Sequence, residues 1–381
     1  MTPLRAARER QGWTKTQLDV RLRRAAQARR EVLPGPESLS RQIARWENGH
    51  VPVKSPLYQE LFCEVYGCSP VELGFVEAPV PPEQESLEDL AAELTRASAV
   101  DAEVAKLLQA QTDAIRQLDA LQGAQLIRDQ MRTHIAHIEE LNRHAVRPGV
   151  RRMLAKVLAD ASALAGWQAL DVGTPRESWE HFERAKSAAR EAEDASLLAF
   201  STAEQAYVLL DLGDTTQASE LVQYARCQAT GAVPALMESW LAAAQAEMAT
   251  ASRDPAPARA ALDEAADLLP AEPDGSLPYL VLTEPHLARW RGNCFARLGD
   301  ENAIGELTRG LAVVTGKYAR AEAGVRIDLA TALLVHGERS LAEEHLRAAH
   351  ILTGRTGSLR QRRRIKTLAG QIRAGTSEYP E

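Results

Sequence analysis

The chain has 381 residues, with 45 Lys and Arg against 52 Asp and Glu, and 45% of its residues are apolar. This length exceeds what one ordinary hydrophobic core spans, so we expect two or more domains. No apolar run approaches the roughly 18 residues of a membrane helix, the N-terminus lacks a signal-peptide pattern, and the cysteines lack metal-ligand spacing. These absences predict a cytoplasmic protein without a membrane segment, a metal or a cofactor.

The charge is distributed unevenly. Residues 1–54 hold twelve basic and five acidic residues, a local charge of +7, although the whole chain carries −7. Residues 355–373 add seven basic residues and no acidic one. The basic N-terminal block meets the electrostatic requirement for contact with phosphate.

The N-terminal segment is predicted to form five short helices. In chain order, their markers are residues 3–10, a capping box at Thr14 and Gln17, an N-cap at Ser38, residues 55–66 and an N-cap at Ser69. In the third helix, Leu39, Ile43 and Trp46 recur at helical spacing and form one apolar stripe. The opposite side of that helix is basic, which indicates either a DNA-reading face or an ordinary solvated face.

The stretch IARWENG, residues 43–49, resembles the I-x-R-W-E-x-G signature of XRE-type (Cro- and lambda-repressor-like) helix-turn-helix domains. GWTKTQL at residues 12–18 and YQELFCEVYGCSPVELGF at residues 58–75 extend the resemblance over the first 75 residues. Residues 23–37 depart from the family, which turns from helix two to helix three in a few residues. The resemblance implies that helix three reads the major groove of double-stranded DNA.

The third helix carries side chains that can read bases, since Arg pairs with guanine O6 and N7 and Gln with adenine N6 and N7. We expect Arg41, Gln42 and Arg45 at base edges, and Ser38 and Ser40 at the groove or at phosphate.

Three residues of the second helix are predicted to position the domain on DNA. The resemblance places Gln17 on phosphate, and Lys15 and Arg21 can add phosphate contacts. Such contacts orient a protein without specifying sequence.

Residues 76–86, VEAPVPPEQES, are rich in Pro and Glu and predict a linker. Residues 87–149 are predicted to form long amphipathic helices. These helices either begin the array that follows or dimerise the chain.

A period of about forty residues organises residues 150–354. Its loop markers, spaced by 40, 40, 46 and 38 residues, are Gly173, Gly213, Arg253, Gly299 and Gly337. Small residues recur seven before and five and twelve after each marker, and in the fourth repeat a one-residue deletion restores them as Ala303 and Gly310. Small residues in register predict closely packed helix pairs that stack into a superhelix.

These offsets resemble those of the tetratricopeptide repeat (TPR), although the standard repeat has about 34 residues. The resemblance implies a concave face with ligand-binding positions at fixed offsets before each marker. Those positions include Trp167, Tyr207, Trp240, Glu247, His286, Arg289 and Asn293. The alternative for the aromatic members is that they fill a core. Residues 355–381 are predicted to form a basic capping helix and tail.

The chain is therefore predicted to be all-α, with a five-helix helix-turn-helix domain followed by a TPR-like solenoid. This combination resembles the RRNPP peptide-pheromone regulators and the helix-turn-helix/TPR regulators of streptomycetes. It implies a transcriptional regulator that is a homodimer, binds an inverted-repeat operator at the nucleoid and responds to a peptide or small-molecule effector. The alternative is a TPR adaptor that binds a protein partner. No catalytic arrangement stands out, so an enzyme is not expected.

Overall fold

The computed structural model describes residues 2–76, 87–272 and 275–374, and the regular secondary structure of these residues is entirely helical. The prediction of an all-α chain is confirmed. No helix within these ranges is long and apolar enough to span a bilayer. The chain divides into two compact units, Met1–Ser86 (unit 1) and Leu87–Glu381 (unit 2). Most of the predicted linker, residues 77–86, and the end of the predicted tail, residues 375–381, lie outside the described residues.

The helices described in unit 1 are α1 (Pro3–Arg10), α2 (Lys15–Ala28), α3 (Pro36–Glu47) and α4 (Pro56–Tyr66). The predicted capping box is present: the Thr14 hydroxyl accepts from the Gln17 amide, and the Gln17 side chain accepts from the Thr14 amide. Leu18, Leu39 and Phe62 are fully buried and belong to the core that joins α2, α3 and α4.

Two predicted helix limits in unit 1 are wrong. The N-cap of α3 is Gly35 rather than Ser38, because Pro36 suits the first turn of a helix with its fixed φ and missing N–H. The predicted fifth helix, capped by Ser69, is only a helical turn, which ends where Gly74 adopts a left-handed φ of 71°. The segment 23–37 is partly helical, since α2 continues to Ala28 and leaves residues 29–35 as the connection to α3.

Unit 2 begins with α5 (Leu87–Ser98), α6 (Ala102–Gln122), a 3-10 turn (Ala124–Leu126) and α7 (Arg128–His144). Five helix pairs follow: α8 (Pro148–Asp171) with α9 (Pro175–Glu191), α10 (Ala195–Asp211) with α11 (Thr215–Ala229), α12 (Ala235–Ala251) with α13 (Pro255–Leu268), α14 (Glu284–Leu298) with α15 (Ala303–Val314), and α16 (Ala319–Val335) with α17 (Arg339–Thr356). The last helix is α18 (Leu359–Ala374).

The two helices of each pair pack against one another, and the first helices of successive pairs also pack side by side. The five loop markers all adopt left-handed φ angles, which are 79° at Gly173, 85° at Gly213, 56° at Arg253, 72° at Gly299 and 81° at Gly337. Four of these positions are glycine, which adopts this conformation without steric cost.

The small residues lie where paired helices touch. A Cβ on Gly166 would be 2.8 Å from the Phe182 ring, and Ser178 Oγ donates to the Gly166 carbonyl at 2.7 Å. In the fourth pair, Ala303 is fully buried and its neighbour Ile304 only partly. This burial confirms the one-residue shift in that repeat.

Unit 2 closes on itself. Helix α18 packs against α8 as well as α16 and α17, and α16 packs against α6. Ser358 Oγ, just before α18, donates to Asp171 Oδ1 at the end of α8 at 2.6 Å. A Cβ on Gly123 would lie 2.0 Å from the Thr356 carbonyl oxygen. Helices α6 and α18 therefore connect α8 of the first helix pair to α16 of the last pair.

Candidate nucleic-acid interface and ligand cavity

Helix α3 has one buried side and one exposed side, and the buried side is the predicted apolar stripe. Leu39 and Ile43 are fully buried, and Trp46 is 7% exposed. The predicted contact residues lie on the other side, where Gln42 is half-buried and the exposed members are Ser38, Ser40, Arg41 and Arg45.

Several acidic residues of unit 1 pair with arginines other than Arg41 and Arg45. Glu47 is 1% exposed and binds Arg8, whose Nε lies 2.6 Å from Glu47 Oε1. Asp19 pairs with Arg23, and Glu60 and Glu64 pair with Arg29. The ion pairs found within residues 2–76 include neither Arg41 nor Arg45. Both guanidinium groups are therefore exposed without a carboxylate partner among residues 2–76.

The α2 candidates are exposed, and two of them are held in place. Gln17 Oε1 is used in the capping box, which leaves its amide NH₂ as the donor for a phosphate. The Arg21 guanidinium lies 4.2 Å from the centre of the Trp13 ring, and Trp13 stacks on Tyr66. The sequence did not identify Trp13 as the residue that orients Arg21. Lys15 is exposed at the first position of α2.

The connection between α2 and α3 is anchored at both ends. Arg29 pairs with Glu60 at 2.5 Å, and Arg23 Nη2 donates to the Pro34 carbonyl at 2.7 Å. These contacts fix where α3 begins, although the connection is longer than the turn of three or four residues typical of helix-turn-helix motifs.

In unit 2, four of the predicted ligand positions join one aromatic cluster. The Trp167 and Tyr207 rings lie 6.1 Å apart, and the Tyr207 hydroxyl donates to Glu247 Oε2 at 3.0 Å. Trp240 contacts Phe200 at 4.9 Å between ring centres. Tyr207 and Trp240 are each 4% exposed, so these two rings fill the interior, as the alternative held.

The other three predicted positions lie on α14. His286 Nδ1 is 2.7 Å from Thr283 Oγ1, and burial lowers its pKa. Arg289 Nε and Asn293 Oδ1 are buried without a hydrogen-bond partner. The contacts found among the described residues do not join these three side chains to Trp167.

A cavity of about 220 Å³ lies between α6, α8, α10 and α16. Trp167, Phe200 and Tyr279 form its aromatic walls, and its charged lining consists of Arg116, Asp119, Asp160, Glu204 and Arg320. Four of these charged residues form two ion pairs, Arg116 with Asp160 and Arg320 with Asp119.

Glu204 has no such partner. Its Oε2 is buried without a hydrogen bond, although the side chain as a whole is half-buried because it faces the cavity. Burial raises the pKa of Glu204 to about 8; Arg360 and Arg320 oppose the shift, and Glu247 adds to it. The Glu204 carboxyl group therefore favours its protonated form at neutral pH.

The basic residues of α18 include inward-facing ones. Arg360 Nε donates to both Asp211 carboxylate oxygens at 3.0 Å, and its guanidinium lies 5.5 Å from the centre of the Trp167 ring. Arg364 pairs with Asp328 on α16. Part of the predicted basic tail thus supports the interior of unit 2.

One group of possible metal ligands occurs among the described residues: Glu93, Glu140 and His144. His144 Nε2 lies 2.9 Å from Glu93 Oε2, and His144 Nδ1 lies 3.0 Å from the Glu140 carbonyl oxygen. Contacts of the two ring nitrogens with these oxygens account for this arrangement.

The chain matches no protein-family model and no curated protein. Its function is accordingly inferred from its own residues. The cavity residues Glu204, Tyr279 and Arg320 were not among the predicted positions. Glu204 lies nine residues before its loop marker, and the resemblance to TPR proteins selected other offsets.

Proposed function

We propose that this chain is a sequence-specific DNA-binding transcriptional regulator of the XRE type that reads DNA with α3. The observation that carries the proposal is the two-sided character of that helix. Its apolar stripe is buried, and Arg41 and Arg45 are exposed on the other side without an acidic partner among residues 2–76. Guanidinium groups placed in this way can reach guanine edges in the major groove.

In this proposal the protein acts in the cytoplasm as a homodimer on an inverted repeat, and unit 2 is a TPR-like sensor. A bound effector changes DNA affinity only if it prefers one dimer arrangement over another. The cavity beside Trp167 and Glu204 supports a sensing role, because it combines apolar walls with an unpartnered polar group.

Selection of binding sites from random double-stranded DNA tests this proposal. We expect a consensus to emerge and the affinity to fall with rising salt, because phosphate contacts release counterions. Arg41→Ala should lose roughly 1–3 kcal/mol of discrimination at one base position. Arg5→Ala on α1 is the matched control, since its guanidinium already pairs with Glu9.

The adaptor hypothesis makes the opposite prediction for the same experiment. An N-terminal unit used for docking or dimerisation selects no consensus, and Arg41→Ala and Arg5→Ala then behave alike toward DNA. That result would remove the assignment of α3 as a recognition helix.

A further inference from the structure

We propose that the cavity between α6, α8, α10 and α16 binds a compact aromatic amine, whose ammonium group pairs with the Glu204 carboxylate. This inference rests on the proposed sensing role of unit 2 and names the chemical class of the effector.

The walls of the cavity suit an organic cation. Trp167 and Phe200 belong to helices α8 and α10, and Tyr279 closes the cavity from the loop before α14. The Phe200 ring lies 5.0 Å from the Tyr279 ring and 4.9 Å from the Trp240 ring, so its position is fixed from two sides. Aromatic faces attract both apolar groups and ammonium ions.

The charged residues that line the cavity favour a positively charged ligand. Arg320 lies 2.5 Å from Asp119 and 3.9 Å from Asp171, and Arg116 contacts both Asp113 and Asp160. Both cations are thus already compensated. Glu204 alone among the charged lining residues has no ion-pair partner within the described residues, so an added cation can pair with its carboxylate once that group has ionised.

The size of the cavity suits a small ligand. Its volume of about 220 Å³ lies below the roughly 300–1,000 Å³ typical of sites for drug-sized ligands. A single ring with a short aminoalkyl chain matches this space. We therefore favour a small molecule as the occupant of this cavity.

Binding of an amine is coupled to a proton. Burial favours the protonated form of Glu204 at neutral pH, and the charged groups that act on it are Arg320, Arg360 and Glu247. When the ammonium ion enters, the carboxyl group ionises and releases its proton to the solvent. No covalent bond of the ligand changes.

Calorimetric titration of the full-length protein tests the inference. The probes are phenethylamine, the neutral analogue 2-phenylethanol and the anion 3-phenylpropanoate. We expect phenethylamine to bind at least about tenfold more tightly than the other two, as a charge-assisted hydrogen bond allows. Binding heats measured at pH 7 in two buffers of different ionisation enthalpy should report proton release.

Glu204→Gln keeps the shape of the side chain and should remove both the preference for the amine and the proton release. Glu220→Gln, an exposed change on α11, is the matched control and should retain both. Phe200→Leu should weaken the binding of phenethylamine and of 2-phenylethanol to the same extent. This variant tests the aromatic walls of the cavity independently of Glu204. Failure of all three probes to bind, a preference for the anion, or a Glu204→Gln variant that keeps the amine preference overturns the inference.

These outcomes are separate from those of the DNA selection. If the protein binds the amine but selects no DNA consensus, the cavity assignment stands and the proposal of a DNA-binding regulator is wrong. If it selects a DNA consensus but does not bind the amine, the regulator proposal stands and the cavity assignment is wrong.

Discussion

At the scale of a single residue, Glu47 shows that a sequence signature of DNA-binding domains can contain a residue that stabilises the fold. It lies within the IARWENG stretch, yet its carboxylate is buried and holds Arg8 of α1. Arg8 Nη1 in turn donates to the Trp13 carbonyl at 2.7 Å, and the Thr2 hydroxyl donates to the Glu47 carbonyl at 2.6 Å. This one residue therefore ties α3 to α1 and to the segment before α2.

Glu47→Ala should lower the free energy of unfolding of unit 1 by roughly 3–5 kcal/mol, because it leaves the Arg8 charge without its partner. Hydrogen exchange of the full-length chain, followed in α1 to α4, measures the loss. Glu37→Ala is the control, since Glu37 is exposed in the first turn of the same helix. Equal protection in the two variants would show that the buried pair does not hold the unit together.

Glu204 predicts a pH dependence of stability. Its folded pKa of about 8 exceeds the ordinary value of 4.5, so between these values the folded chain binds more protons than the unfolded chain. Stability conferred by this group is therefore lost as the pH rises from about 4.5 to about 8. Glu204→Gln should gain thermal stability relative to the wild type between pH 5 and pH 9, as scanning calorimetry can measure. A constant difference across this range would mean that Glu204 does not titrate there.

At the scale of the element, the helix pairs depend on glycine only where the backbones approach closely. A Cβ on Gly292 in α14 would lie 2.5 Å from Leu307 Cγ and 3.0 Å from the Leu307 amide nitrogen of α15. A Cβ on Gly305, in the same α15, meets nothing within 4 Å. The close packing of the two helices thus requires a glycine at position 292 but leaves room for a side chain at position 305.

Gly292→Ala should destabilise unit 2 by roughly 1–3 kcal/mol, because the added methyl group forces α14 and α15 apart. Gly305→Ala should be neutral or stabilise by up to about 1 kcal/mol through helix propensity. Chemical denaturation of both variants, followed by helical circular dichroism, checks the opposite signs. If both changes had the same effect, the close approach would not be the cause.

Local signals predicted most helices of this chain. Capping residues and prolines marked the helix starts, and the period of about forty residues marked five helix pairs, including the shifted fourth pair at Ala303. The start of α3 was wrong because Ser38 and Gly35 are competing caps, and a Pro at position 36 favours the earlier one. The DNA candidates could be named from their spacing, since helical periodicity alone places Arg41 and Arg45 opposite Ile43.

At the scale of the whole molecule, the feature absent from the sequence prediction is the closure of unit 2. Arg320 joins Asp119 of α6 and Asp171 of α8, which are 1% and 2% exposed. No local pattern links α16 to helices about 150 to 200 residues earlier, so periodicity cannot reveal the contact. The cavity and the isolation of Glu204 follow from the closure, and for that reason the sequence did not point to Glu204, Tyr279 or Arg320.

Arg320→Met should destabilise unit 2 by roughly 3–5 kcal/mol, because two carboxylates lose their shared cation inside the unit. We expect hydrogen exchange to rise in α6, α8 and α16 together, although these helices are far apart along the chain. Arg339→Met, an exposed change on α17, serves as the control. A rise confined to α16 would show that Arg320 does not couple the ends of the array.

The bond between Ser358 and Asp171 spans 187 positions of the chain. Ordinary helical repeats contact only their neighbours and can fold one after another as a ribosome releases them. In this chain, α8 and α16 cannot complete their packing until α18 has been made, because α18 packs against both of them. Such distant contacts slow folding, since a large loop must close before they form. A nascent chain that stops before residue 358 is thus expected to remain open and to require protection from aggregation until the final helix is made.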